Sequence, residues 1–244
     1  MILPKKLKKD AILEAICEVR FETDELDELV VGRLSEHAPW ENFARDRLPF
    51  SDFPHQVRRA GTNLRYQPLV ELRDRASRRL IKIGSNVISA HVVAPYCGWT
   101  AYRLHLHEVL DVLFKKFKVR VQRIGLRYIN AITPHDHHIR DIGGLTLQIT
   151  IDDERLQMPF TLAYVKEEGD INSIVKIASP RLVAGASVPP KFAALIDVDV
   201  STPDGLRIRD EKEAKAWLDR AHTKEKEEFF RLWPEEAVRN AMQE

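Results

Sequence analysis

Between Trp99 and Ile132 a long amphipathic helix runs straight into a strand that carries two polar residues among apolar ones. Trp99, Tyr102, Leu106, Val109, Leu110, Leu113, Phe114 and Phe117 recur at helical spacing and form one apolar stripe. Burying about six such side chains at roughly 1.5–3 kcal/mol each makes the stripe a principal contributor to any core. The strand that follows, Val119 to Ile132, is long enough to be central, with a bulge expected near Gly125. A helix that feeds directly into a long strand packs on a sheet, and Arg127 and Asn130 then need polar partners.

Other segments complete a sheet. Ala15, Cys17, Val19 and Phe21 alternate with Glu18, Arg20 and Glu22 as in a half-buried strand, and Asp24 to Glu36 reads as a short helix capped by Asp24. Prolines at 39, 49 and 54 mark 38–65 as irregular. Strands are expected over Leu69–Arg73, Arg79–Gly84, Val87–Val93, Leu145–Ile151, Phe160–Val165, Ile171–Ala178 and Ala194–Val200. Pro180–Pro190 reads as a mobile loop. A last long helix starts at Asp210 and ends before Pro234, which stops it or opens a final helical turn.

The expectation is an α+β fold: one domain over 1–244, a mainly antiparallel sheet of eight or nine strands, and helices on one face. Each half, 1–134 and 140–244, reads as a meander closed by a helix, so a duplicated arrangement is expected.

Composition excludes more than it selects. Lys plus Arg is 38 against 37 for Asp plus Glu, so the +1 charge gives no global pull toward nucleic acid or acidic lipid. The two cysteines, Cys17 and Cys97, form neither a disulfide framework nor a thiolate zinc cage. The N-terminal lysines precede an apolar run broken by Glu14 and Glu18, which is no signal peptide, and no stretch is long enough to span a bilayer. A soluble cytoplasmic protein with no membrane association is expected.

Two blocks, Leu7-Lys8-Lys9 through Ile12–Phe21 and Ile124-Gly125-Leu126-Arg127-Tyr128-Ile129-Asn130, resemble a family of sporadically distributed bacterial proteins of uncharacterised function. The family's Tyr-x-Gly-Trp is matched by Tyr96-Cys97-Gly98-Trp99, and its late His before an aromatic by His222 and Phe229. A proline usual near Ala11 is missing. The resemblance spans nearly the whole chain; it implies a single-domain bacterial protein and supplies no activity.

Three constellations bear on chemistry. Glu18, Arg20, Arg127, Asn130, Asp197 and Asp199 are candidate ligand-binding residues, because neighbouring strands would bring carboxylates and guanidinium groups together. Ordinary cross-strand ion pairing is the commoner outcome. Arg73, Arg75, Arg78 and Arg79, in a basic run from His55 to Lys82, are candidate phosphate ligands, although arginines on a sheet edge more often only discourage strand-to-strand association. His135-Asp136-His137-His138 holds metal-ligating groups on consecutive loop positions, which rarely converge, so no metal site is assigned.

There is no G-x-S-x-G elbow, no G-x-x-x-x-G-K loop and no G-x-G-x-x-G, and no cofactor is implied. Gly143-Gly144 is a turn. The expected function is a non-enzymatic binding or regulatory module that engages a protein partner or a second copy of itself, motivated by Phe229, Phe230 and Trp233 near the carboxyl end. The alternative is an enzyme or nucleic-acid-acting protein with a charged cleft around Glu18, Arg127, Asp197 and Asp199.

Overall fold

The computed structural model describes residues 3–61, 63–156, 159–182 and 191–243. The chain opens with β1 (Ile12–Thr23) and α1 (Asp27–Ser35) and passes through β2 (Ala44–Arg47) and α2 (His55–Ala60). The meander β3 (Val70–Asp74), β4 (Arg79–Ile83) and β5 (Val87–Val93) follows, closed by α3 (Trp99–Lys116). β6 (Val119–Ile132) starts the second half, with α4 (Pro134–His137) and the hairpin β7 (Thr150–Ile151) and β8 (Glu154–Arg155) after it. A second meander, β9 (Thr161–Glu168), β10 (Ile171–Ala178) and β11 (Ala194–Ser201), leads to α5 (Glu211–Arg231) and α6 (Glu235–Ala241).

Nine strands form one antiparallel sheet in the order β2-β3-β4-β5-β1-β6-β11-β10-β9. From the central β1–β6 pair outward, both halves follow the same path: a long strand, a three-stranded meander whose last strand returns to pair with the first, then a long helix. The halves therefore divide between α3 and β6, not after residue 134, because β6 stands in the second half where β1 stands in the first.

Period-two alternation explains the two layers. Ala15, Cys17, Val19 and Phe21 are all at most 4% exposed on the helix side, while Glu14, Ile16, Glu18 and Arg20 lie half-buried on the other. α3 buries Tyr102, Leu106, Val109, Leu110 and Leu113 of the stripe, and α5 buries Trp217, Leu218, Ala221, Phe229 and Phe230. The helices are joined by Arg103, whose Nε and Nη2 each donate to Asp219 at 2.7 Å. Asp210, from which the last long helix was expected to run, is its N-cap, accepting from the Glu213 amide at 2.8 Å.

Several expectations need correction. The bulge on β6 falls where Arg20 pairs with Arg123 and Phe21 with Val121, leaving Gln122 unpaired with β1, and not at Gly125. Leu145–Ile151 is strand only at Thr150–Ile151, apart from the main sheet: Leu145 turns into the core, and the Thr146 amide donates to the Leu232 carbonyl at the end of α5. Asp24 does not cap α1, whose N-cap is Leu26 without a side-chain bond; the Asp24 carboxylate accepts from Arg120 instead. Within 38–65, where irregular structure was expected, β2 forms the outer edge. Most of the expected loop at 180–190 lies outside the described residues.

Candidate functional site

Two surfaces concentrate polar groups, one on each side of the sheet. On the open side, pairing of β1, β6 and β11 places Arg127 opposite both Ile16 and Asp199. Arg127 reaches diagonally to Asp197, with Nε and Nη2 donating to its two oxygens at 2.7 Å each. That bidentate contact pushes the Arg127 pKa up. Arg123 bridges Asp199, at 3.0 and 3.2 Å, and Glu18, at 3.5 Å; Glu18 also accepts from Arg20 at 2.7 Å.

Five of the six residues expected to share a site thus do share a face. Asn130 does not. It points to the helix side, buried, and donates to the Tyr128 and Ile196 carbonyls at 3.2 Å. Arg123, the residue that ties Glu18 to Asp199, was missing from the expected set. Room for it comes from Gly125: a Cβ there would stand 2.5 Å from an Arg123 guanidinium nitrogen.

This face is a neutralised ladder. Each guanidinium has a carboxylate within bonding reach, so little unpaired positive charge is left for a phosphate. A double-mutant cycle on Arg127→Ala and Asp197→Ala should return a coupling of about 1 kcal/mol by denaturant unfolding, as for a bidentate pair whose arginine still meets solvent. A coupling several-fold larger would mean that the pair is buried beneath something bound.

Ser89, His91 and Glu14 also meet on this face, with Oγ to Nε2 at 2.9 Å and Nδ1 to Oε1 at 2.7 Å. The spacing resembles a nucleophile, base and orienting acid, but Ser89 lies between two ladders, paired with Glu18 and Lys82. Its neighbourhood of committed strand amides offers no oxyanion donors, and the trio reads as a polar packing unit.

The arginine run is similarly occupied. Arg73 pairs with Glu71, Arg78 donates to the Ala94 carbonyl, and Arg79 donates to Asp74 at 3.1 Å and to Ser77 Oγ at 2.7 Å. Arg75 is exposed on the turn. Replacing Arg75, Arg78 and Arg79 together by alanine should leave heparin retention and its salt dependence unchanged; a clear loss of retention would restore phosphate binding on this hairpin. The histidine loop does not converge: the His135 side chain is 96% exposed, while His137 is buried with its Nδ1 accepting from the Thr133 amide at 2.8 Å.

On the helix side, a cavity of about 560 Å³ opens between the N-terminal arm (4–12), the 96–100 turn, the end of β6 and the middle of α5. Gly98, at φ +84°, is the N-cap of α3 and turns the chain where L side chains are strained. On either side of it, the Tyr96 and Trp99 rings both meet Tyr102 edge-on. Tyr96 and Tyr128 share a hydroxyl hydrogen bond of 3.2 Å, and Trp99 stacks flat on His222 at 3.9 Å.

Glu225 is the unusual member of this wall. It is 5% exposed, and among the described residues no hydrogen bond or ion pair reaches its carboxyl group. Burial pushes its pKa up to about 8, and burial also drives His222 down to about 4. Asp10, on the arm, is raised by burial as well. Lys226 lines the same cavity, where its charge opposes the effect of burial on Glu225, and it donates to the Pro4 carbonyl at 2.8 Å.

Neither family models nor curated proteins give a match to this chain. Among solved structures, the likeness is faint, as two of them illustrate. One is the rolling circle replication initiator protein from Geobacillus stearothermophilus, at 9% identity and a TM-score of 0.28, covering 88% of this chain and 79% of that one. The other is Methanococcus jannaschii TBP, at 12% identity and a TM-score of 0.26, covering 90% of this chain and 99% of that one. Likeness at this level supports no inference about what the chain binds or does.

The sequence does contain a sign of Glu225. Trp217, Ala221, Glu225 and Phe229 recur every four residues along α5, so the acid occupies a position on the apolar stripe. Tyr96, Trp99, Tyr128, Asn130, His222 and Phe229, drawn from three separate parts of the chain, all line this one cavity.

Proposed function

We propose that this protein is a binding module whose ligand seats in the cavity under the N-terminal arm. The observation that carries this reading is Glu225, a buried acid with no donor among the described residues, on the wall of a space of ligand size among aromatic rings. Leaving such a group unpaired costs folding free energy, and a fold retains that cost most readily where a ligand completes the site. Perturbed acids in a concave, aromatic-lined space are a recurrent mark of functional sites.

A protein partner was expected from Phe229, Phe230 and Trp233. Those side chains are 5%, 6% and 3% exposed, so their apolar area is already used inside the molecule. A cavity ligand, free or presented by another chain, therefore has better support than an aromatic docking patch.

A thermal-shift screen of amines, carboxylates, nucleotides and neutral aromatics tests the reading, because a ligand that binds only the folded state raises the melting point. At least one class should stabilise the wild type and fail to stabilise Cys97→Trp, which places bulk at the exposed mouth. Equal responses in both proteins, or none in either, would remove the cavity as the site.

A further inference from the structure

Building on the cavity reading, we infer that the ligand carries an organic cation, an alkylammonium or quaternary ammonium group seated against Glu225 within the aromatic wall. A carboxyl group on a residue only 5% exposed, and short of donors, accepts a positive group more readily than a neutral one, and offers an anion only repulsion or its own proton. Aromatic faces attract desolvated ammonium groups through their ring quadrupoles and hold them without competing for hydrogen bonds. Trp99, Tyr96, Tyr128, Phe229 and Phe230 line the same space as Glu225. The shallower Asp10 supplies a second acid on the arm's side.

The charged groups facing Glu225 come from each surrounding element. The arm contributes Lys5, Lys6 and Asp10, the turn Tyr96 and Cys97, β6 Tyr128, and α5 itself His222 and Lys226. Burial moves both tyrosines and Cys97 further up from alkaline values and His222 down to about 4. Lys226 is lowered by burial and Asp10 raised by it, so the titration of either could imitate that of Glu225; Lys226→Met and Asp10→Asn, each expected to keep the pH dependence, supply the control variants.

The experiment measures binding of choline, its neutral isostere 3,3-dimethylbutan-1-ol and the anion 3,3-dimethylbutyrate to the wild type by calorimetry at pH 6, 7.5 and 8.5. Choline should bind at least about 10-fold tighter than the alcohol, and the butyrate weakest. Choline affinity should rise by roughly 10- to 100-fold from pH 6 to 8.5 as Glu225 gives up its proton. Glu225→Gln should abolish both the preference and the rise, Trp99→Leu should weaken choline at every pH, and Lys226→Met and Asp10→Asn should each keep the rise.

Three results overturn the inference: the alcohol or the butyrate binding as well as choline, an unchanged pH profile in Glu225→Gln, or no binding of choline at all. Each leaves the cavity reading to its own screen, where a neutral or anionic ligand blocked by Cys97→Trp would preserve it.

Discussion

Glu225→Gln should make the protein more stable than the wild type at alkaline pH, with the advantage growing as pH rises from about 4.5 to about 8. The folded state holds the Glu225 proton up to about 8, whereas the unfolded chain releases it near the ordinary 4.5. Over that window the folded form binds more protons than the unfolded form, so stability is full below the unfolded value and is lost as pH climbs through the folded one. At about 1.36 kcal/mol per unit, the difference between variant and wild type should change by on the order of 5 kcal/mol across the window.

The wild-type curve alone has a different shape. His222, depressed to about 4, works in the opposite sense: its folded form binds fewer protons between about 4 and 6.5, so its contribution to stability grows over that range. The two slopes oppose one another up to about pH 6.5, and beyond it Glu225 acts without that counterweight. Urea unfolding should therefore show a wild-type loss of about 2 kcal/mol between pH 6.5 and 8.5 that Glu225→Gln lacks. Parallel curves for the two proteins would mean that the carboxyl group is solvated or paired, and the cation site would lose its foundation.

The parts of this fold legible in the sequence are those where one periodicity dominates. α3 and β6 follow from an apolar stripe and an unbroken strand pattern, and β6 has the expected bounds. The short edge strand β2 (Ala44–Arg47) is all but invisible, because its sequence Ala-Arg-Asp-Arg has no apolar face of its own and its pairing with β3 makes it a strand. Leu145 and Leu147 mislead in the opposite way: their spacing is that of a strand, yet Thr146 between them is held by the end of α5, its amide donating to the Leu232 carbonyl and its hydroxyl to the Arg231 carbonyl.

The same division runs through the sites. Arg127 and Asp197 could be paired in advance because alternation assigns them a face, and the sheet order then makes them neighbours. Asn130 sits three positions after Arg127, an odd step that sends it to the other side of the sheet. The cavity was not legible from any one segment, since its wall is assembled from four distant stretches. Glu225 could have been singled out only by asking why an acid stands in the Trp217-Ala221-Phe229 series.

Leu110→Asp should leave the protein without a cooperative tertiary transition at any pH above the carboxylate range. Leu110 is 1% exposed in the middle of the α3 stripe, and that stripe closes the core over the sheet. Removing the leucine packing costs about 2–5 kcal/mol, and an unpaired carboxylate in its place adds several more. A domain of ordinary stability, about 5–15 kcal/mol, has little left after both terms. Leu104→Asp, on the same helix but 67% exposed, should change stability by no more than about 0.5 kcal/mol and serves as the control for helix propensity and charge. Near-ultraviolet circular dichroism and denaturant melts of the two variants separate these outcomes. Equal, small losses in both would show that α3 does not roof the sheet, and the cavity at its N-terminus would then lack the rigid wall on which Trp99 and His222 stack.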